Sequence, residues 1–191
     1  MPFGHEKAVI NIKSPDALFQ FYNSFTRIFK LTYTFDYSNI ILLCIGTDRS
    51  TGDCLGPLVG YKLKALNTND VFIYGTLQNP VHAKNLKDVL EEINTSYKKP
   101  FIIAVDACLG GLDRIGSIVI DAGPLTPGAG VNKRLPKVGH MHIVGIVNVG
   151  GFAEYLVLQN TRLSLVMEMA DAISTGIYVG LRKMIGNCLS H

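Results

Sequence analysis

The 191-residue chain combines 48% hydrophobic residues with only 17% charged residues. Soluble domains usually carry about 25% charged residues, so this composition excludes an intrinsically disordered chain and predicts several fully buried elements. The 18 Lys and Arg residues exceed the 15 Asp and Glu residues by only +3, and no basic stripe is present. We therefore expect no nucleic-acid partner.

The length predicts a single domain over residues 1–191. No stretch reaches the roughly 18 apolar residues of a membrane span, and the N-terminus lacks the apolar run of a signal peptide. The 4 cysteines form no C-x-x-C pair. These features predict a cytoplasmic protein with free thiols and no membrane partner. The sequence leaves the oligomeric state open.

Residues 1–38 are predicted to form an N-terminal helical extension, because Ser14, Pro15 and Asp16 are typical of a helix start. The continuous apolar run over 40–45 predicts a strand that is buried on both faces. The further predicted elements are a helix over about 55–66, a strand over 71–74, a helix around 86–93, strands over 101–105, 117–120 and 143–149, and a last helix around 166–184.

This alternation of strands and helices predicts an α/β fold, a three-layer αβα sandwich with a mostly parallel sheet. In such sheets a ligand binds beyond the carboxyl ends of the strands. If the first three predicted strands have the order 2-1-3, the loop after Ile45 and the residue after Val105 face one crevice.

Asp53 and Asp106 are the candidate catalytic residues at this crevice. Two close carboxyl groups cannot both ionise easily, so they divide into a base that activates a water and an acid that protonates a leaving amine. We expect Asp53, at a helix start, to be the ionised base and the more buried Asp106 to be the acid. The structural alternatives are an N-cap for Asp53, and a loop cap or an ion pair with Arg114 for Asp106.

Other residues that carry chemistry have weaker signals. His82 lies on the expected ligand edge, whereas His140 is expected at the opposite end of the sheet. Cys54 and Cys108 are interpreted mainly as small buried hydrophobes, with a nucleophilic role left open. Asp121 is interpreted as a turn residue at a strand end.

The segment from Ile45 to Pro57, together with residues 147–151, resembles the YyaC-type family of sporulation proteins of endospore-forming bacteria. More distantly, residues 53–57, 105–108 and 128–134 are similar to the Asp-Ala-Leu-Gly-Pro, Ile-Asp-Ala-Leu and Gly-Ser-Gly-Val-Gly-Asn-Lys-Arg segments of the spore germination protease. The hydrogenase-maturation endopeptidases are a third related group, with a glutamate at the position of Asp53 and an aspartate at that of Asp106.

The resemblance implies a hydrogenase-maturation-protease-like (phosphorylase/hydrolase-like) fold. It also implies an intracellular endopeptidase that acts on a protein or peptide substrate during sporulation or germination, in the forespore or mother cell, with Asp53 and Asp106 as the catalytic pair. The loop residues predicted to bind substrate are Gly128, Gly130, Asn132, Lys133 and Arg134.

Three alternatives stay open at this point. We expect no tightly held metal, because no Cys/His set has metal-ligand spacing, but a divalent ion held weakly at Asp53 and Asp106 remains an alternative. The chain is alternatively a non-catalytic sporulation factor or binding protein that keeps the peptidase fold. The glycine-rich loop leading into a helix also suits a small-molecule or anion-binding module.

Overall fold

The computed structural model describes residues 6–64, 70–128 and 135–188. The strands are β1 (Lys7–Asn11), β2 (Asn39–Cys44), β3 (Val71–Tyr74), β4 (Pro100–Gly110), β5 (Ser117–Ala122) and β6 (Met141–Val149). The helices are α1 (Ala17–Thr32), α2 (Leu55–Leu63), α3 (Leu86–Ser96), α4 (Glu154–Gln159) and α5 (Leu163–Cys188).

The strands form one 6-stranded sheet in the order β1-β5-β6-β4-β2-β3. β3, β2, β4 and β6 are parallel to one another, whereas β5 pairs antiparallel with both β6 and β1. The α/β class and the 2-1-3 order of the first three predicted strands are confirmed. The sheet is mixed, because two antiparallel pairs extend one side of the parallel part.

The side chains of β2 show how the sheet is covered on both faces. Ile40, Leu42 and Cys44 belong to the larger buried cluster, against which α1, α2 and α5 pack. Ile41 and Leu43 belong to a second cluster, which α3 covers through residues such as Leu86. The alternation of a strand thus divides one apolar run between two cores and produces three layers.

The segment expected to be a helical extension is also part of the sheet, because β1 pairs with β5. Helix α1 is built into the larger core, where Phe21 and Phe25 are fully buried. Two glycines of α5 make room for these rings. A Cβ at Gly176 would lie 2.1 Å from Phe21, and one at Gly180 would lie 2.6 Å from Phe25. The N-terminal elements are therefore integral to the domain.

The amino end of β4 is closed by aromatic packing. The buried Phe101 ring stacks on His140, with 5.2 Å between ring centroids. Its other aromatic neighbours are Phe29, Tyr33 and Tyr37. His140 Nδ1 accepts a hydrogen bond of 2.9 Å from the Ile102 N–H. As predicted, this histidine lies at the end of the sheet opposite the ligand edge.

Across the described residues, we find no helix both long and apolar enough to cross a lipid bilayer.

Candidate active site

Asp106 lies where β4 extends beyond its neighbour. β2 pairs with β4 only as far as Cys44 opposite Val105, whereas β4 continues to pair with β6 as far as Gly110. The predicted strand end at Val105 was therefore too early. Asp106 is the first residue of β4 beyond the end of β2.

Asp53 is placed by a loop that is closed tightly at its base. Gly46 has a φ of 139°, and a Cβ there would lie 2.0 Å from the Asp53 carbonyl oxygen. A Cβ at Gly56 would lie 2.1 Å from the Ile45 carbonyl oxygen. These two close approaches fix Asp53 against the carboxyl end of β2.

The N-cap interpretation of Asp53 is wrong. Helix α2 begins at Leu55, and its N-cap is Cys54, which makes no side-chain capping bond. Asp53 instead lines a cavity of about 360 Å³ at the carboxyl ends of β2 and β4. Asp106, His82 and Gly128 line the same cavity. The structure thus brings together the two aspartates and the histidine expected at this edge.

Asp106 is buried, with 5% of its surface exposed. Burial, and next the charge of Asp53, raise the pKa of Asp106 well above its ordinary value. Backbone N–H groups of Ala107, at 2.8 Å, and of Gly128 donate to this carboxyl group and offset part of the rise. Within the described residues Asp106 forms no ion pair with Arg114, whereas its hydrogen bond from the Gly128 N–H is the loop-capping contact of the structural alternative.

The pKa of Asp53 is also raised, and burial is the main cause. The expectation that a helix start would favour its charged form is wrong in direction, because desolvation outweighs the opposing effects of the Thr47 N–H and the His82 charge. The two aspartates still differ in proton affinity in the expected direction, because Asp106 is the more deeply buried and takes up a proton more readily.

His82 is held rigidly beside the aspartates. Val81 bridges to Ile45, and the Val81 carbonyl accepts a 2.7 Å hydrogen bond from the Gly46 N–H. The His82 N–H donates to Asn85 Oδ1 at 2.8 Å. His82 Nδ1, however, is buried without a hydrogen-bond partner among the described residues. The predicted placement of His82 at the ligand edge is confirmed, because His82 lines the cavity.

Sequence reasoning missed Ser50. Ser50 lines the cavity, and its hydroxyl is likewise buried without a hydrogen-bond partner in the described part of the chain. Nothing in the local sequence marks Ser50 apart from its place in the glycine-bounded loop.

The thiols of Cys54 and of the cavity residue Cys108 are not poised for nucleophilic chemistry. Burial raises the pKa of Cys54, and its thiol donates to the Thr51 carbonyl at 2.9 Å. Burial and the neighbouring Asp106 raise the pKa of Cys108 to about 11. A thiol must be deprotonated to attack, so neither cysteine supplies a nucleophile near neutral pH.

Two further expectations concern loop and strand-end residues. Gly128 lies at the cavity wall as predicted, but Gly130, Asn132, Lys133 and Arg134 lie outside the described residues. The turn interpretation of Asp121 is wrong, because Asp121 is a buried residue within β5.

The donor set does not fit a metal centre of the kind that the hydrogenase-maturation endopeptidases imply. Over the residues that the structure describes, no group of 3 or more His, Cys, Asp and Glu side chains is arranged to hold a metal ion. We therefore derive no chemical step through a metal.

Comparison with known proteins gives the family. Residues 9–176 match the family described as "Protein of unknown function (DUF1256)". The chain belongs to this family. The DUF1256 region runs from β1 into α5 and includes both aspartates.

The chain is similar in sequence to the "Uncharacterized protein YyaC" of Bacillus subtilis (strain 168). It is 60% identical over 138 residues, which is 72% of this chain and 67% of the relative. The predicted resemblance to the YyaC-type family is confirmed.

A solved structure resembles the fold. The [NiFe] hydrogenase maturation protease HycI from Thermococcus kodakarensis KOD1 superposes with a TM-score of 0.55 and 21% identity, over 83% of this chain and 98% of HycI. At this identity the likeness establishes the shared fold alone. It confirms the predicted hydrogenase-maturation-protease-like architecture of this DUF1256 chain.

Proposed function

We propose that the protein is a peptidase that hydrolyses a peptide bond in a protein or peptide substrate, with Asp53 and Asp106 acting on a bound water. One observation carries this proposal. The two carboxyl groups line one cavity at the carboxyl ends of neighbouring strands, and the charge of Asp53 helps to raise the pKa of Asp106. Neighbouring carboxyl groups in which the charge of one raises the pKa of the other are suited to acid–base catalysis.

In the proposed reaction, ionised Asp53 takes a proton from water as the water oxygen bonds to the scissile carbonyl carbon. The protonated Asp106 first donates a hydrogen bond to the developing oxyanion. When the C–N bond breaks, the Asp106 proton goes to the leaving amine nitrogen. A proton then passes from Asp53 to Asp106, which restores the starting state. The backbone N–H groups of Ala107 and Gly128 hold Asp106 in place during these steps.

The proposed biological setting is sporulation or germination, inside the forespore or mother cell of a spore-forming bacterium. The similarity of residues 53–57 and 105–108 to segments of the spore germination protease supports this setting. In this proposal Lys133 and Arg134, together with Gly128, Gly130 and Asn132, orient the substrate through the loop over 128–134.

The direct test is to incubate the purified protein with extracted spore proteins and to identify new chain termini by mass spectrometry. We expect Asp53→Asn and Asp106→Asn each to lower the rate by about 10³-fold or more, because each removes one half of the acid–base pair. The double variant should lose little more than either single variant, since the two groups act as a unit.

The matched control is Asp113→Asn, which changes an exposed aspartate on the short turn Leu112–Arg114 and should leave the rate unchanged. Cleavage that survives both active-site substitutions would contradict the mechanism. If active protein cuts nothing, the non-catalytic binding role becomes the better account.

We further expect the cleavage to require no tightly held metal, because the described residues offer no such ligand set. Elemental analysis of protein purified without chelator tests this. One equivalent of zinc or nickel, lost in Asp53→Ala, would contradict the expectation.

A further inference from the structure

One edge of β4 carries backbone groups that the sheet does not use. β2 ends opposite Val105, and beyond that point β4 continues through Gly110. Among the described residues, only β6 pairs with this part of β4. On the side of β4 that faces β2, no described strand pairs with β4 from Ala107 onward.

The alternation of the backbone shows which groups point to this edge. The Val105 carbonyl accepts a 2.7 Å hydrogen bond from the Ile45 N–H, so Val105 faces the side of β2. The Gly110 carbonyl accepts a 2.8 Å hydrogen bond from the Gly150 N–H, so Gly110 faces β6. The pairing of β4 with β6 has an irregularity after Cys108 that skips one residue of β6. No residue of β4 is skipped, so its backbone groups keep alternating between the two sides. The backbone groups of Ala107 and Leu109 thus face the open edge.

One of these groups already has a partner, since the Ala107 N–H donates to Asp106. The Ala107 carbonyl and the N–H and carbonyl of Leu109 remain, in the order acceptor, donor, acceptor. An anion does not suit this row, because two of its three groups are acceptors. The main chain of an extended peptide supplies donors and acceptors in alternation and does suit it.

The open edge is a wall of the cavity. Ala107, Cys108 and Leu109 line it directly beside Asp106, and Tyr155 and Leu158 line it as well. Strands that pair lie about 4.8 Å apart, so a peptide paired here lies next to the Asp106 carboxyl group.

We propose that an extended segment of the protein substrate binds as an added strand along Ala107–Leu109 of β4, held through its main chain. This inference rests on the proposed peptidase function and specifies how that site takes its substrate. The recognised feature is an extended conformation with intact N–H groups. Segments with proline at a pairing position are excluded, because proline has no N–H to donate.

The test uses a library of unstructured decapeptides and the Asp53→Asn protein, which retains the edge of β4. Peptides retained by this protein are identified by mass spectrometry, and the tightest binder is resynthesised with one backbone N-methyl group at each position in turn. We expect methylation at alternate positions of a short stretch to weaken binding at least tenfold, with little effect at the positions between. The amide of Leu109 should exchange its hydrogen more slowly with peptide bound, whereas the amide of Ile120 in β5 should not change.

The outcomes separate this inference from the function on which it rests. If no peptide is retained, or if the methylation scan shows no alternation, the added-strand proposal is wrong. If binding alternates but the unsubstituted protein cuts none of the retained peptides, the edge is a binding site and the peptidase proposal fails. If the protein cuts the peptides but the effect of N-methylation on binding does not alternate along them, the peptidase proposal stands and the added-strand proposal is wrong.

Discussion

The two ends of β4 contrast in how their polar groups are satisfied. At the amino end His140 accepts a hydrogen bond from the Ile102 N–H and stacks on Phe101. At the carboxyl end His82 presents a buried Nδ1 that has no partner in the described residues, beside two carboxyl groups and a cavity. The amino end of this strand thus has a histidine nitrogen that is hydrogen-bonded, and its carboxyl end adjoins one that has no partner among the described residues.

Burial shifts the pKa of a group at each end, with different consequences. Desolvation lowers the pKa of His140, which favours the neutral ring that the packing already satisfies. The same effect raises the pKa of Asp106, which keeps a proton at a place where the proposed reaction uses one. The packing at the amino end stabilises the fold. At the carboxyl end, we propose that a buried carboxyl group lowers stability and serves catalysis.

The largest expected effect on stability is at the closed end. Phe101→Ala should lower the free energy of unfolding by about 3–5 kcal/mol, because it leaves a cavity among four aromatic neighbours. Urea denaturation measures the change. Leu158→Ala, in the wall of the open cavity, is the comparison and should cost clearly less, because water already reaches that space. Equal losses of unfolding free energy in the two variants would show that the two ends of β4 do not differ in packing.

The second prediction concerns Asp106 and the pH dependence of stability. Because the pKa of Asp106 is raised in the folded protein, the folded state binds more protons than the unfolded state once the pH exceeds the ordinary carboxyl pKa. Its contribution therefore declines as the pH rises through the folded-state value, by at most about 1.4 kcal/mol per pH unit. Asp106→Asn should be more stable than the unsubstituted protein at neutral pH, and the difference should shrink toward pH ~4.

Thermal unfolding across this pH range provides the measurement, with Asp113→Asn as the exposed control. A variant that is inactive yet more stable at neutral pH identifies a group kept for function. If Asp106→Asn were less stable at every pH, the buried carboxyl group would instead have a structural role.

The smallest expected effects distinguish the two histidines. His82→Gln should lower kcat/KM by about tenfold, since acid–base sites depend on such neighbouring charges. The positive charge of His82 lowers the pKa of Asp53, so its removal should move the acidic limb of the kcat/KM profile to higher pH. His140→Gln should leave that limb in place and lower stability by about 1–3 kcal/mol, through the Ile102 N–H that it leaves unpaired. An unmoved acidic limb in His82→Gln would show that His82 does not act on Asp53.

Much of the fold was predictable because long apolar runs mark buried parallel strands. The run over 40–45 identified β2 and its place in a covered sheet. The five-residue strand β1 escaped prediction, because it lies at the sheet edge, where Val9 is 47% exposed and Ile10 is buried. The short helix α4 was missed as well, since none of its residues is buried and its sequence has no buried face to mark it.

The sequence was enough to identify the two aspartates of the site, but not to predict the direction in which the pKa of Asp53 shifts. Asp53 and Asp106 stand out in the sequence because each charge adjoins an apolar or glycine-bounded element. Whether Asp53 caps α2 depends on a shift of one residue, and a sequence does not resolve helix ends so finely. The direction of its pKa shift depends on burial by residues distant in the chain, which local sequence does not encode.

The close approaches at Gly46 and Gly56 limit which substitutions this loop can accept. A side chain at either position would collide with the backbone of Asp53 or Ile45, so neither position tolerates another residue without moving the loop. The intervening Thr47 and Arg49 line the cavity but do not form that base. Substitutions among these wall residues can therefore alter what the cavity accepts while Asp53 stays in place. In the proposed peptidase, one loop thus combines a fixed base that holds Asp53 with a wall that can vary.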